Sequence, residues 1–352
     1  MERVDGEMMS AAIAAAGDHP THPNPRVGAV VVAGEARIVG RGGHRGPGQS
    51  HAEVLALSEA GQLAQGATLY VSLEPCAHYG KTPPCTDAII AAGIARVVVA
   101  VEDPDSRVTG RGLDALRRAG MEVLTGVGAA EATGLDPGYF HHRTTGRPRV
   151  TLKVAMTLDG QIAAADGTSQ WITSVEARRD AHRLRASNDA VMVGAGTLLA
   201  DDPSLTIRFD RYAGGQPLAV IVGGRRSLPP SRRVFERPAL VFSPFDVELP
   251  AEVVVVPDSS GEKIDLIKML EILGSRGVVD LLVEGGSSLA TSFWAAGLVD
   301  HGVVYTAAAL AGGAGRGVFR GAFRTIGDLQ RVTITGIEKV GPDLRIDFEG
   351  AD

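Results

Sequence analysis

Four residues near the start of the chain have the types and order that zinc-assisted hydrolysis needs: His51, Glu53, Cys76 and Cys85. Zinc favours imidazole and thiolate, and a catalytic zinc keeps three protein ligands plus one open position for water. His51-Ala52-Glu53, then Pro75-Cys76 and Cys85, offers one imidazole, two thiolates and a carboxylate two residues from the histidine. The order is that of H-x-E…P-C-x-x-C, the signature of hydrolytic zinc deaminases. In that chemistry the metal lowers the pKa of its water, and the resulting nucleophile attacks the ring carbon bearing the amine. Glu53, not itself a ligand, would take the proton of the water and return it to the departing ammonia. Eight residues, Ala77 to Pro84, separate the cysteines where the short signature has two. This insertion would form a loop over the site, placed to hold a substrate tail.

Each residue also has a plainer reading. Ser50-His51-Ala52-Glu53 fits a capping box, which would make Glu53 a helix cap. The cysteines could be ordinary buried thiols or, in an oxidising compartment, a disulfide. Thr82-Pro83-Pro84-Cys85 reads as a helix start with proline in the first turn, whose positive end would favour a Cys85 thiolate. All four residues in order outweigh these readings. A non-catalytic zinc protein is the competing class, and it suffers because structural zinc normally takes four protein ligands.

The elements that must hold these residues read as α/β. Strands are predicted at 27–32, 67–73 and 97–101, and helices near 8–16, 51–60, 85–92 and 113–119. Their alternation argues for a layered domain. The polar stretch at 139–149, YFHHRTTGRPR, reads as a linker. Beyond it, strands are predicted at 150–156, 189–193, 218–222, 239–242, 253–256 and 278–283. The expected domains are therefore 1–145 and 146–352. A chain of 352 residues with 44% hydrophobic content can bury two such cores. The net charge of −6 gives no footprint for nucleic acid or an anionic membrane. No apolar run has transmembrane length, no signal peptide is visible, and two reduced cysteines suit a cytoplasmic protein.

The second half carries fainter chemistry. Val193-Gly194-Ala195-Gly196 follows a predicted strand, but Leu199 stands where G-x-G-x-x-G needs its third glycine. Val283-Glu284-Gly285-Gly286-Ser287-Ser288 places an apolar strand against a helix start. Backbone N–H groups there could hold a phosphate, or the junction could be an ordinary tight turn. Lys153 lies in an apolar strand, a costly place for an unused charge unless it points to solvent. Arg178, Arg179 and Arg183 read as solubilising surface residues.

Longer motifs now carry a resemblance. Thr21-His22-Pro23-Asn24-Pro25-Arg26-Val27-Gly28, Gly40-Arg41-Gly42-Gly43-His44, His51-Ala52-Glu53 and the run Leu73–Cys85 resemble the bifunctional riboflavin-biosynthesis deaminase/reductase family. Leu158-Asp159-Gly160, Ser169-Gln170-Trp171-Ile172-Thr173, Leu199-Ala200-Asp201-Asp202-Pro203 and Val283-Glu284-Gly285-Gly286 extend the match over nearly the whole chain. The long spacing between the cysteines is also a feature of this family.

The resemblance implies an N-terminal cytidine-deaminase-like three-layer domain and a C-terminal dihydrofolate-reductase-like domain. It implies Zn2+ and NADPH as cofactors and a pyrimidine ribose phosphate, 2,5-diamino-6-ribosylamino-4(3H)-pyrimidinone 5′-phosphate, as substrate. The first domain would deaminate its ring at C2, and the second would reduce ribosyl to ribityl. It assigns Asn24 and His44 to the deaminase pocket, with His78 and Lys81 as candidates for the substrate phosphate or ring. For the second domain it assigns Ser169, Arg185, Leu205, Arg208 and Glu284 to the substrate, Arg185 and Arg208 to its 5′-phosphate, with Lys153 as the catalytic candidate. For NADPH it assigns Ala155, Trp171, Thr197, Asp201, Gly286, Ser287, Ser288, Leu289, Ala290, Thr291 and Ser292. Trp171 without the resemblance would be a core residue. Where the family often has a serine contacting the cofactor, this chain has Gly223-Gly224-Arg225-Arg226, and an arginine there could serve the 2′-phosphate. A homo-oligomer, taken as a dimer, is implied as well, with the strand-rich edge of the second domain as interface. The competing reading of that domain is a nucleotide-binding regulatory module without turnover.

Overall fold

The computed structural model describes residues 2–18, 20–80, 83–209, 212, 214–321 and 325–350. The chain divides into two compact units, Met1–Gly146 and Arg147–Asp352. The first contains α1 Glu2–Ala15, β1 Gly28–Ala33, β2 Arg37–Gly43, α2 Ala52–Ala60, β3 Thr68–Leu73, α3 Cys85–Ala91, β4 Arg96–Val101, α4 Arg111–Arg118, β5 Glu122–Thr125, α5 Ala129–Leu135 and α6 Pro137–Thr145. Its sheet has the order β2-β1-β3-β4-β5. Strand β1 is antiparallel to both neighbours, and β3, β4 and β5 are parallel.

The central strands are near-continuous apolar runs because both faces of the sheet are covered. On one face Ala52 and Ala56 of α2, Ile89 of α3 and Leu116 of α4 pack against Val31, Leu69 and Val97. On the other, Met9, Ala12 and Ile13 of α1 and Ala132 of α5 pack against Val30, Tyr70 and Val98. The result is three layers. Gly40 and Gly42 in β2 permit close approach of α2, since a Cβ on either would strike the backbone of Ala56 or Ala52.

The second unit contains β6 Arg149–Thr157, β7 Gln161–Ala163, α7 Val175–Ala186, β8 Ala190–Gly194, α8 Ala195–Asp201, β9 Leu218–Val222, β10 Ala239–Ser243, β11 Glu252–Val255, α9 Leu266–Ser275, β12 Asp280–Val283, α10 Ser287–Ala295, β13 His301–Ala307, β14 Arg316–Gly317, β15 Val332–Val340 and β16 Asp343–Gly350. Its nine-stranded sheet runs β11-β10-β9-β8-β12-β6-β13-β16-β15. The seven strands from β11 to β13 are parallel, and β16 is antiparallel to β13 and β15. Helices α9 and α10 cover one face through Met269, Leu273 and Phe293, and α8 covers the other through Leu198.

Several elements differ from the sequence expectation. The segment read as a linker is largely helix α6, and the reason is local. Asp136 caps it by accepting from the Tyr139 N–H, Pro137 sits in the first turn, and Tyr139 and His142 are buried. Helix α1 starts six residues earlier than expected, at Glu2 rather than 8. Strands β2, β5, β7, β13, β14, β15 and β16 were not expected. In β2 arginines and glycines interrupt the apolar run, and in β15 almost every residue is solvent-exposed. A search for the apolar runs of buried parallel strands passes over such a hairpin.

Candidate active sites

His51, Cys76 and Cys85 come together. Their ligand atoms lie within 4.8 Å of one another. His51 Nδ1 is 3.1 Å from Cys85 Sγ and 3.6 Å from Cys76 Sγ. Zn–S bonds near 2.3 Å and Zn–N bonds near 2.0 Å in a tetrahedron put neighbouring ligand atoms roughly 3.5–3.8 Å apart. The set therefore fits zinc with only small adjustment, and it leaves one tetrahedral position to a non-protein ligand.

The elements explain the convergence. His51 is the residue before α2, extended at φ −73° and ψ 161°, and Cys85 opens α3. Cys76 follows β3 across the Glu74-Pro75 step, and the Cys85 backbone N–H donates to its sulfur at 3.4 Å. The positive end of α3 thus supports the Cys76 thiolate, whereas the sequence suggested Cys85. The Cys85 thiol, against the opposing effect of burial and with help from His51, holds Cys76 down to about 4. Its partner Cys85 is pushed up by Cys76 and by burial.

Glu53 lies in the first turn of α2 and is buried. Burial pushes its carboxyl above the usual range. The capping-box reading fails, because the N-cap residue is His51 and no side chain caps α2. His44 stacks edge-on to His51 with ring centroids 5.1 Å apart. Its Nδ1 lies 3.2 Å from the Ser50 carbonyl and its Nε2 3.0 Å from Asn24 Nδ2. Burial lowers its pKa. With Nδ1–H donating to Ser50, Nε2 accepts from Asn24, which leaves the Asn24 carbonyl oxygen for a ligand. His78 is exposed and lies outside the metal cluster, and Lys81 is outside the described residues.

One buried acid was not singled out by spacing. Glu74 accepts from the backbone N–H groups of Asp103, Gly110, Gly112 and Leu113 at 2.8–3.3 Å. It ties the strand leading into Pro75-Cys76 to the start of α4. Gly112 allows this, since a Cβ there would strike the Pro75 carbonyl.

The second unit holds a cleft of about 1750 Å3 at the carboxyl ends of β8, β9 and β12, where open α/β sheets bind ligands. Ten of its lining residues are Lys or Arg and five are Asp or Glu, in a chain whose net charge is −6. That local excess of cations suits multiply phosphorylated ligands. The N-cap glycines of α8 and α10, Gly194 and Gly286, both line it.

At its floor, Arg185 binds Glu284 through two hydrogen bonds of 2.6 and 2.8 Å and donates to the Thr206 carbonyl at 2.9 Å. Burial alone would raise Glu284, but Arg185 and Lys153 hold it down at about 2. Lys153 Nζ stands 5.7 Å from the Tyr305 ring centroid, and desolvation lowers its pKa against the pull of Glu284. Asp202 and Leu205 adopt left-handed φ of 41° and 53° beside Asp201, a strained wall of the kind found at ligand sites.

Ala155, Trp171, Thr197, Asp201, Gly286, Ser287, Ser288, Leu289, Ala290 and Ser292 all line this cleft. So do Lys153, Ser169, Arg185, Leu205, Arg208 and Glu284. Thr291 is not on the wall: its hydroxyl donates to the Ser287 carbonyl and accepts from the Arg320 N–H. Leu205 is 1% exposed and packs in the core. Trp171 is 68% exposed, so the core reading is wrong for it. Arg178 lies 4.6 Å above its ring and lines the cleft, which removes Arg178 from the solubilising residues.

Comparisons with known proteins agree with both halves. Residues 2–101 match the cytidine and deoxycytidylate deaminase zinc-binding region, and residues 148–346 match the RibD C-terminal domain. Riboflavin biosynthesis protein RibD of Escherichia coli is 39% identical over 96% of this chain and 97% of its own length. The RibD of Mycobacterium tuberculosis H37Rv is 44% identical over 92% and 90%. The chain belongs to the RibD family.

Solved structures carry the RibD match into three dimensions. Acinetobacter baumannii RibD superposes with a TM-score of 0.93 at 36% identity over all of both chains. A Thermotoga maritima diaminohydroxyphosphoribosylaminopyrimidine deaminase/5-amino-6-(5-phosphoribosylamino)uracil reductase gives 0.88 at 35% identity over 99% of each. The fold is thus the two-part α/β fold of RibD, deaminase-type first and reductase-type second. Members of this family are riboflavin-biosynthesis enzymes, and so is this chain.

The RibD motifs do not single out His182, Arg178 or Arg320, which the fold also places in the cleft. For the first two a signal existed: Arg178, Ala181, His182 and Arg185 recur at helical spacing and share one face of α7.

Proposed function

We propose that residues 1–145 hydrolytically deaminate 2,5-diamino-6-ribosylamino-4(3H)-pyrimidinone 5′-phosphate at C2, and that residues 146–352 then reduce its ribosyl group to ribityl with NADPH. The observation that carries the first step is the convergence of His51 Nδ1, Cys76 Sγ and Cys85 Sγ beside a buried Glu53. His51, Cys76 and Cys85 would hold zinc, whose Lewis acidity makes water a nucleophile at neutral pH. Glu53 takes the proton of the attacking water and delivers it to the amine, which leaves as ammonia. Asn24, oriented by His44, reads the pyrimidine edge. Burial of Glu53 keeps this transfer out of competition with bulk water.

For the second step, the excess of cations in the cleft supports a site for a dinucleotide and a sugar phosphate together. Gly286, Ser287 and Ser288 would hold the pyrophosphate at the start of α10, with Leu289, Ala290 and Ser292 beside them, and Ala155, Trp171, Thr197 and Asp201 would hold the rest of NADPH, which supplies the reducing equivalents. Arg225 or Arg226 is the candidate for the 2′-phosphate. Arg208 takes the substrate phosphate. Arg185, already committed to Glu284, serves by fixing that carboxylate. Lys153, desolvated beside Glu284, holds a proton for the sugar oxygen as its ring opens.

No helix among the described residues is long and apolar enough to cross a membrane, in keeping with a cytoplasmic enzyme. Exposed Ile334, Ile337 and Leu344 on the β15–β16 hairpin support a homodimer through that edge.

The test is to mix the purified protein with the diaminopyrimidinone phosphate and NADPH and follow ammonia and NADPH absorbance together. Ammonia release followed by NADPH loss is expected. Ammonia without NADPH loss moves the second unit to a regulatory role, and neither signal from zinc-loaded protein rejects the substrate.

A further inference from the structure

His182 lines the cleft but takes no part in the scheme above. It stands on α7 one turn before Arg185, on the face that also presents Arg178 and Ala181. The backbone N–H of Arg208 donates to its Nδ1 at 3.2 Å. A ring nitrogen that accepts carries no proton, so in the neutral ring the proton sits on Nε2. Burial first, then Arg185 and Arg208, hold the imidazole down to about 4, with Lys153 adding to them and Glu284 opposing. At neutral pH the ring therefore presents one N–H that Arg208 does not use.

The surroundings suit an anion. Arg185 is occupied by the Glu284 carboxylate through both of its donors on that side. Arg208 has no ion-pair partner among the described residues. Its charge is disfavoured by burial and by Arg185 and Arg233, a situation that a bound anion relieves. The segment carrying Arg208 is also the strained one, with Leu205 at φ 53°, so its backbone needs an anchor.

We propose that His182 is a substrate-positioning residue of this cleft, anchoring the Arg208 backbone through Nδ1 and donating its Nε2–H to the phosphate monoester that Arg208 binds. The inference rests on reading the cleft as a site for a phosphorylated substrate.

Two substitutions separate the two ring nitrogens. In His182→Asn the amide oxygen can occupy the place of Nδ1, and no donor reaches as far as Nε2. In His182→Gln an amide N–H reaches the Nε2 position. Loss of one hydrogen bond to a charged group should raise the KM for the deaminated ribosylaminopyrimidine phosphate about tenfold or more in His182→Asn, with kcat within about twofold. Inhibition by inorganic phosphate should weaken by a similar factor, and the melting temperature should hold. His182→Gln should recover most of the affinity. A wild-type KM and wild-type phosphate inhibition in His182→Asn would overturn the proposal, as would a parallel fall in kcat and melting temperature. If the wild-type protein does not oxidise NADPH with this substrate, the reductase reading fails instead. Calorimetric binding of inorganic phosphate to the wild type and the two variants still decides the role of His182.

Discussion

The zinc-type site and the cationic cleft are assembled from the chain in opposite ways. His51, Glu53, Cys76 and Cys85 come from one stretch, each just after a strand or at a helix start of the first unit. The cleft draws on residues from Lys153 to Arg320, carried by many separate elements. A metal site has few ligands and a strict valence, so residue type and spacing alone limit what can satisfy it. A cleft for large phosphorylated ligands divides its binding among many weaker contacts, and each of them has an ordinary structural alternative. The difference also shows in how charge is handled. The site of His51, Cys76 and Cys85 buries a carboxyl, Glu53, whose pKa desolvation raises, whereas the cleft buries Glu284 only in company with Arg185 and Lys153.

This contrast can be broken or sharpened by experiment. Removing zinc by chelation should abolish ammonia release while NADPH oxidation continues on pre-deaminated substrate. Loss of both would show that the two sites are not independent. Glu53→Gln should retain zinc by metal analysis and lose about 10²- to 10⁴-fold in deamination rate. Loss of the metal in that variant would make Glu53 a ligand. In the cleft, Lys153→Ala should leave ammonia release intact and slow NADPH oxidation roughly 100-fold; unchanged reductase kinetics would remove Lys153 from the site.

The remaining prediction concerns stability and not rate. Arg185→Met leaves Glu284 buried without its main partner and should cost about 3–5 kcal/mol in denaturant unfolding. The sign of the pH dependence should change with it. In the wild type the folded pKa of Glu284, about 2, lies below its ordinary 4.5, so its contribution is present above 4.5 and lost as the pH falls towards 2. In Arg185→Met burial raises the folded pKa above 4.5, so acidification from neutral pH down to about 4.5 should stabilise the fold instead. Parallel acid unfolding curves for the two proteins would refute the pairing.

Legibility followed the same division. The buried strands β1, β3, β4, β8, β9 and β12 were readable because helices on both faces demand long apolar runs. Helix α6 was not, because its polar residues concealed a capped start at Asp136-Pro137. The exposed hairpin β15–β16 was missed since it has little burial to impose a pattern. Among site residues, Arg178 looked like any surface arginine until Trp171 was found beneath it. Thr291 sat in the right segment but faces Ser287 and Arg320.

The sequence by itself picked out a candidate set of metal donors, its order and the carboxylate beside it, because coordination chemistry tolerates few residue types and these lie close along the chain. The family motifs extended that to the substrate class of both halves. Tertiary structure alone decided which sulfur receives the α3 N–H, that His51 rather than Ser50 precedes α2, and that Arg185 is paired with Glu284 across 99 positions. It also decided that His182 holds Arg208. Hydrogen-bond direction and ion pairing depend on distances of a few tenths of an ångström between distant segments, and those distances exist only once the layers have packed.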